Sequence, residues 1–132
     1  MTRDRSGDGR FLAAVLAVCA AASAAAHHST NMFDEDNPIE LSGTVVEWQF
    51  QNPHCFIMLE VTDDDGESEV WALEGLSPNV IYRMGWRPDT LRPGDEIIAR
   101  VLPLHSGAPG GSYRELRWAD GTPIDPKAGR PD

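Results

Sequence analysis

"SPNVIYRMGW", Ser77 to Trp86, decides how the chain is read. Serine suits a helix N-cap because its hydroxyl oxygen accepts a free N–H of the first turn. Pro78 suits the first helical position, where its missing N–H has no partner to lose. Gly85 suits the stop, since glycine adopts the left-handed conformation that ends helices. The stretch therefore predicts a helix of one to two turns.

Strand patterns lie on both sides of it. "IELSGTVVEWQF" (39–50) is rich in Val, Trp and Phe, with Val46, Trp48 and Phe50 on one parity. Gly43 inside it marks a bulge or bend. "QNPH" ends it, because Pro53 cannot donate to a ladder. In "CFIMLEV" the alternation turns Cys55, Ile57, Leu59 and Val61 to the core and His54, Phe56, Met58 and Glu60 to the other face. "TDDDGES" is a hairpin turn, and "EVWALEG" returns as the third strand. Beyond the helix, "EIIARVLPL" and "YRELRWAD" are the fourth and fifth strands, joined by a flexible glycine-rich loop, "HSGAPGGS".

Five strands with one short helix between the third and fourth predict an all-β chain folded as an OB-like, partly open barrel. An immunoglobulin-like sandwich is the alternative, but it needs about seven strands and no helix. The Ser77–Pro78 start favours the barrel.

The first 26 residues read differently. Arg3, Arg5 and Arg10 precede an apolar run, "FLAAVLAVCAAA" (11–22), and then "SAAAHH" offers small residues to a signal peptidase. The run is too short for the ~20 residues of a membrane span. The expected organisation is a signal peptide over 1–26, an extended arm over 27–38, the barrel over 39–121 and a disordered tail over 122–132. Export to the periplasm or beyond follows, with no stable membrane insertion once the leader is removed. Val18 before Cys19 is not the small residue that lipid attachment follows.

Charge narrows the partners. The chain carries a formal charge of -10. Losing Arg3, Arg5, Arg10, Asp4 and Asp8 with the leader makes the remainder one unit more acidic. Such a surface repels phosphate backbones, so nucleic acid is excluded as an expected partner. Cys55 is the one cysteine outside the leader, so an internal disulfide is impossible even where export would permit it.

"AHHS", "GTVVEWQFQNPH", "VWALEG", "SPN", "GW", "LRPGD" and a late "ADG" stand in an order that resembles a family of small exported bacterial proteins catalogued as a domain of unknown function. The resemblance runs from Ala26 to about Gly121. It implies an exported β-rich domain marked by the His-His start and the Asn-Pro-His turn, and it supplies no activity.

Chemistry rests on four histidines: His27, His28, His54 and His105. In an OB barrel the loops after strands one and four flank one binding face, so His54 and His105 are expected at one mouth. Imidazole is the commonest metal-binding side chain. Cleavage after Ala26 would make His27 the first residue. Its amine and ring nitrogen, with a third nitrogen from His54 or His105, suit a T-shaped copper site. Cleavage after Ala25 would instead place a histidine third, which suits square-planar Cu(II) or Ni(II). Measured along the first strand, His54 lies ~40 Å away, which makes the first version tight.

A blue-copper site is disfavoured, since Cys55 and His54 take opposite faces. No catalytic constellation is present, so the expected function is a non-enzymatic binding module for a metal ion, copper preferred, or a small ligand. The alternative is a protein- or glycan-interaction module, which requires two of Phe56, Trp48 and Trp71 exposed together on the barrel face. Trp86, at the helix end, is the expected core plug.

Overall fold

A computed structural model describes residues 32–130. Its elements run β1 (Ile39–Gln49), β2 (Phe56–Thr62), β3 (Ser68–Glu74), α1 (Pro78–Arg83), β4 (Glu96–Pro103) and β5 (Gly110–Trp118). The strands close into a barrel in the order β1-β2-β3-β5-β4, the expected architecture with its helix between β3 and β4.

β1 serves two partners. It pairs with β4 from Ile39 to Thr44 and with β2 from Thr44 to Gln49. Gly43 stands at the changeover, where a Cβ would collide with the Glu60 carbonyl oxygen. The bulge falls further on: Val45 pairs with Leu59 and Glu47 with Met58, which leaves Val46 as the extra residue. Val45 and Trp48 therefore face the core while Val46 is exposed, against the simple alternation that grouped Val46 with Trp48.

The interior is filled by Val45, Ile57, Leu59, Leu73, Ile97 and Val101. α1 adds Ile81 to the core. Ser77 is extended at the N-cap, but its hydroxyl makes no cap bond; its backbone carbonyl instead accepts from Val80 and Ile81 at 3.0 and 3.2 Å. Gly85 follows with φ 106°, and Trp86 turns up into the barrel. Its ring lies 5.8 Å from that of Trp48, whose indole N–H donates to the Arg87 carbonyl at 3.0 Å. Trp86 is thus the expected plug, and the Trp48 donor is buried with a partner, as a buried indole requires.

Two expectations change. β5 begins at Gly110 rather than Tyr113, so Gly110, Gly111 and Ser112 of the "flexible" glycine loop are ladder. A Cβ at Gly111 would strike the Leu102 carbonyl oxygen and Val101 Cγ1. One at Gly110 would lie 3.3 Å from the Ala72 carbonyl oxygen. The glycines let β5 wedge between β4 and β3 and make three parallel pairs, Ala72–Gly110, Leu73–Gly111 and Glu74–Ser112. These pairs convert the expected partly open barrel into a closed one.

The stretch after Gly121, expected to be disordered, is docked as far as Arg130. Pro123 bridges to Arg117, the Ile124 N–H donates to the Leu116 carbonyl at 3.1 Å, and Ile124 joins the core. Arg130 forms an ion pair with Asp95 and donates to the Thr90 carbonyl at 3.1 Å. Likewise the arm is tied down from Phe33, which bridges to Leu104, while the Asp34 N–H donates to the Pro103 carbonyl at 2.8 Å.

Gly111→Ala should destabilise the fold by about 1–3 kcal/mol, the cost of overpacking against atoms that cannot retreat; urea denaturation measures it. Asp95 supplies a pH test. Burial raises its pKa, but the Arg130 hydrogen bond, the Arg92 N–H and both positive charges outweigh that, holding it below the ordinary 3.8. Its contribution is present above 3.8 and disappears as pH falls through the lower folded value. The midpoint of thermal unfolding should drop across that acid window, and Asp95→Asn should flatten the drop.

Candidate functional site

The β2–β3 hairpin presents the face that OB barrels use for ligands. Register places Phe56 beside Glu74, Met58 beside Ala72 and Glu60 beside Val70 on the outside, with Gln49 and Glu47 of β1 flanking Phe56 and Met58. Phe56 is half-buried there. Trp71 pairs with Leu59 and so belongs to the inner side, where its indole N–H donates to Glu69 at 3.1 Å. Trp48 is buried. The aromatic trio required for a stacking platform is therefore split between two faces, because the β1 bulge and the β3 register turn both tryptophans inward.

His54 stands at the end of this face. Cys55, next in sequence, donates its N–H to the Leu76 carbonyl at 3.0 Å and accepts the Gly75 N–H at 2.8 Å. That pair fixes the backbone on which His54 is carried. The His54 side chain is 48% exposed, and its Nδ1 pairs with Oε1 of Glu74. A carboxylate accepts from Nδ1–H, so Nε2 is the ring nitrogen that the Glu74 pair leaves unused.

His105 lies elsewhere. It occupies the turn after β4, exposed, beside Asp34. The Asp34 carboxyl is held below its usual range chiefly by the Asn37 side-chain hydrogen bond, with the His105 charge a lesser cause. β5 runs parallel to β3 from Ala72 to Glu74, so the loop before Gly110 points back toward the start of β3. His54 is at the other end, against Glu74. His105 sits just beyond β4, in the turn where the Leu104 N–H donates to the Gly110 carbonyl at 3.0 Å. His27 and His28 lie outside the described residues. Among the described residues no group of three or more His, Cys, Asp or Glu side chains is placed to hold one metal ion. No helix of the described residues is long and apolar enough to cross a membrane.

Cys55 is fully buried and its thiol pKa is raised by burial, against a smaller lowering by the Gln51 backbone. It faces the core as its strand parity predicts, and it is no nucleophile in this setting.

A second concavity was not legible in the sequence. Beyond Ser112 the β3–β5 ladder ends, and a cavity of about 470 Å³ opens between β5, the Gly75–Leu76 connection, α1 and the docked C-terminal stretch. Its walls include Leu76, Ile81, Met84, Trp86, Ile124 and Pro126. Its visibility depends on the tail being docked, which no local pattern announces.

A family model matches residues 14–113, described as a family of unknown function (DUF6152). The chain belongs to that family. The match spans the His-His junction, the Asn-Pro-His turn and the barrel through the start of β5, as the resemblance in sequence implied. No curated protein matches the DUF6152 chain in sequence. Among solved structures it is similar to the mitochondrial single-stranded DNA binding protein Rim1 from S. cerevisiae, at 7% identity and a TM-score of 0.44, over 63% of this chain and 94% of that one.

Cys55 should resist alkylation by iodoacetamide in the native protein and react promptly in guanidinium. Mass spectrometry of the labelled chain reads the difference, and rapid native labelling would contradict the burial.

Proposed function

We propose that this protein is an exported, non-enzymatic binding module of the periplasm whose ligand is a metal ion, copper(II) preferred, held through histidine nitrogen. The observation that carries it is the His54–Glu74 pair. Metal-binding histidines characteristically give their second ring N–H to a carboxylate, which orients the ring and raises the basicity of the ligating nitrogen. His54 has that partner, a half-exposed side chain and a backbone fixed by the Cys55 hydrogen bonds.

One imidazole does not hold an ion. The further nitrogens come from His27, His28 and the amine freed by signal cleavage, all of which suit Cu(II).

Isothermal titration of the processed protein with Cu(II) tests the proposal, alongside sequencing of its first residue. His54→Ala should abolish the tight site, Glu74→Gln should weaken it by ~10-fold or more, and replacing His27 and His28 together should match His54→Ala. Full affinity in His54→Ala would sink the idea.

A further inference from the structure

We infer that the cavity between β5, α1 and the C-terminal stretch binds a small amphipathic carboxylate, an apolar chain with one anionic head, independently of any metal. At about 470 Å³ it falls within the ~300–1,000 Å³ range of sites that hold small organic molecules. Its depth is apolar: Ile81, Trp86, Leu116 and Ile124 are buried residues of the core that also line it. Leu76 and Met84, both about half exposed, form an apolar lip at the entrance.

The polar groups at the cavity point to one charge. Arg114 lines it and donates from Nη1 to the buried Ser112 hydroxyl at 2.8 Å. It is the extra residue of a bulge in β5: Val101 pairs with Tyr113 and Arg100 with Glu115, leaving Arg114 without a strand partner. Bulges re-aim side chains beside sites. Among the described residues Arg114 has no carboxylate partner, in a chain with nearly twice as many acids as bases. Glu115 also lines the cavity, but its Oε1 lies 3.7 Å from Arg117 Nε on the outside of the barrel. Tyr113 adds a hydroxyl that accepts no proton loss at ordinary pH, since burial, with the nearby Cys55, pushes its pKa far up. An unpaired guanidinium above an apolar pocket is complementary to a carboxylate whose tail is apolar. The remaining Arg114 donors form charge-assisted hydrogen bonds to the head, while the tail displaces water from the pocket.

The cavity exists because of barrel closure. The parallel ladder stops at Glu74–Ser112, and Gly75 then turns away under Tyr113, whose ring occupies the space a Cβ would need. β5 continues past this point paired with β4 but not with β3, and the docked stretch around Ile124 roofs the gap from the other side.

Titration of the purified protein at pH 7 with decanoate, decanol and decyltrimethylammonium, each below its micelle concentration, tests the inference by tryptophan fluorescence. Trp86 lines the cavity, so occupancy should change its emission. Decanoate should bind saturably, with decanol about tenfold weaker, as loss of a charge-assisted hydrogen bond implies, and the cation weaker still. Arg114→Gln should remove the preference for decanoate over decanol without altering decanol binding or the far-ultraviolet circular dichroism. Leu76→Asp, which sets a carboxylate at the lip, should weaken decanoate most. Equal binding of decanoate and decanol by the parent protein, a preference that persists in Arg114→Gln, or no saturable binding of any of the three would overturn it.

Discussion

Everything in this barrel depends on how closely β5 can approach its neighbours at Gly110 and Gly111. Among the described residues a short parallel pairing between β3 and β5 completes the closed sheet. At Gly111 the Leu102 carbonyl and the Val101 methyl occupy the space a side chain would fill. Glycine there is disfavoured by backbone entropy, and the closed ladder with its buried core offsets that cost. A barrel without this pairing would expose two sheet edges, which invite association with other chains.

Closure then sets where ligands can go. It brings the end of β4, and with it the arm at Phe33, within a few strand spacings of Glu74 and His54. Because the ladder is short, it also leaves a gap below Ser112, which the Gly75 turn, α1 and Ile124 enclose as an apolar cavity. One steric fact thus underlies the exposed imidazole face and the pocket beneath it.

The two sites differ in how their polar groups are arranged. On the hairpin face His54 is paired with an acid through Nδ1, which orients the ring. At the cavity Arg114 donates to a neutral hydroxyl and, among the described residues, has no carboxylate partner, so its charge is available to an anion. Neither site contributes a nucleophile: Cys55 is sealed in the core and Tyr113 is held protonated.

Sequence alone determined the strand order, the helix at Ser77–Pro78, the Trp86 plug and the inward face of Cys55, Ile57 and Leu59. These are local: alternation, capping chemistry and glycine stops act over a few residues, so their signals survive without a fold. The family membership was equally legible, because it rests on spaced motifs. Tertiary structure decided the rest. Whether Val46 or Val45 faces inward depended on a bulge set by β2. Whether "APGGS" was loop or ladder depended on the space left between β3 and β4. Whether the last stretch frayed depended on Leu116 and Asp95, far away in the chain. Long-range close approach carries no periodic signature, and it alone placed Glu74 on His54 and left Arg114 without an acid.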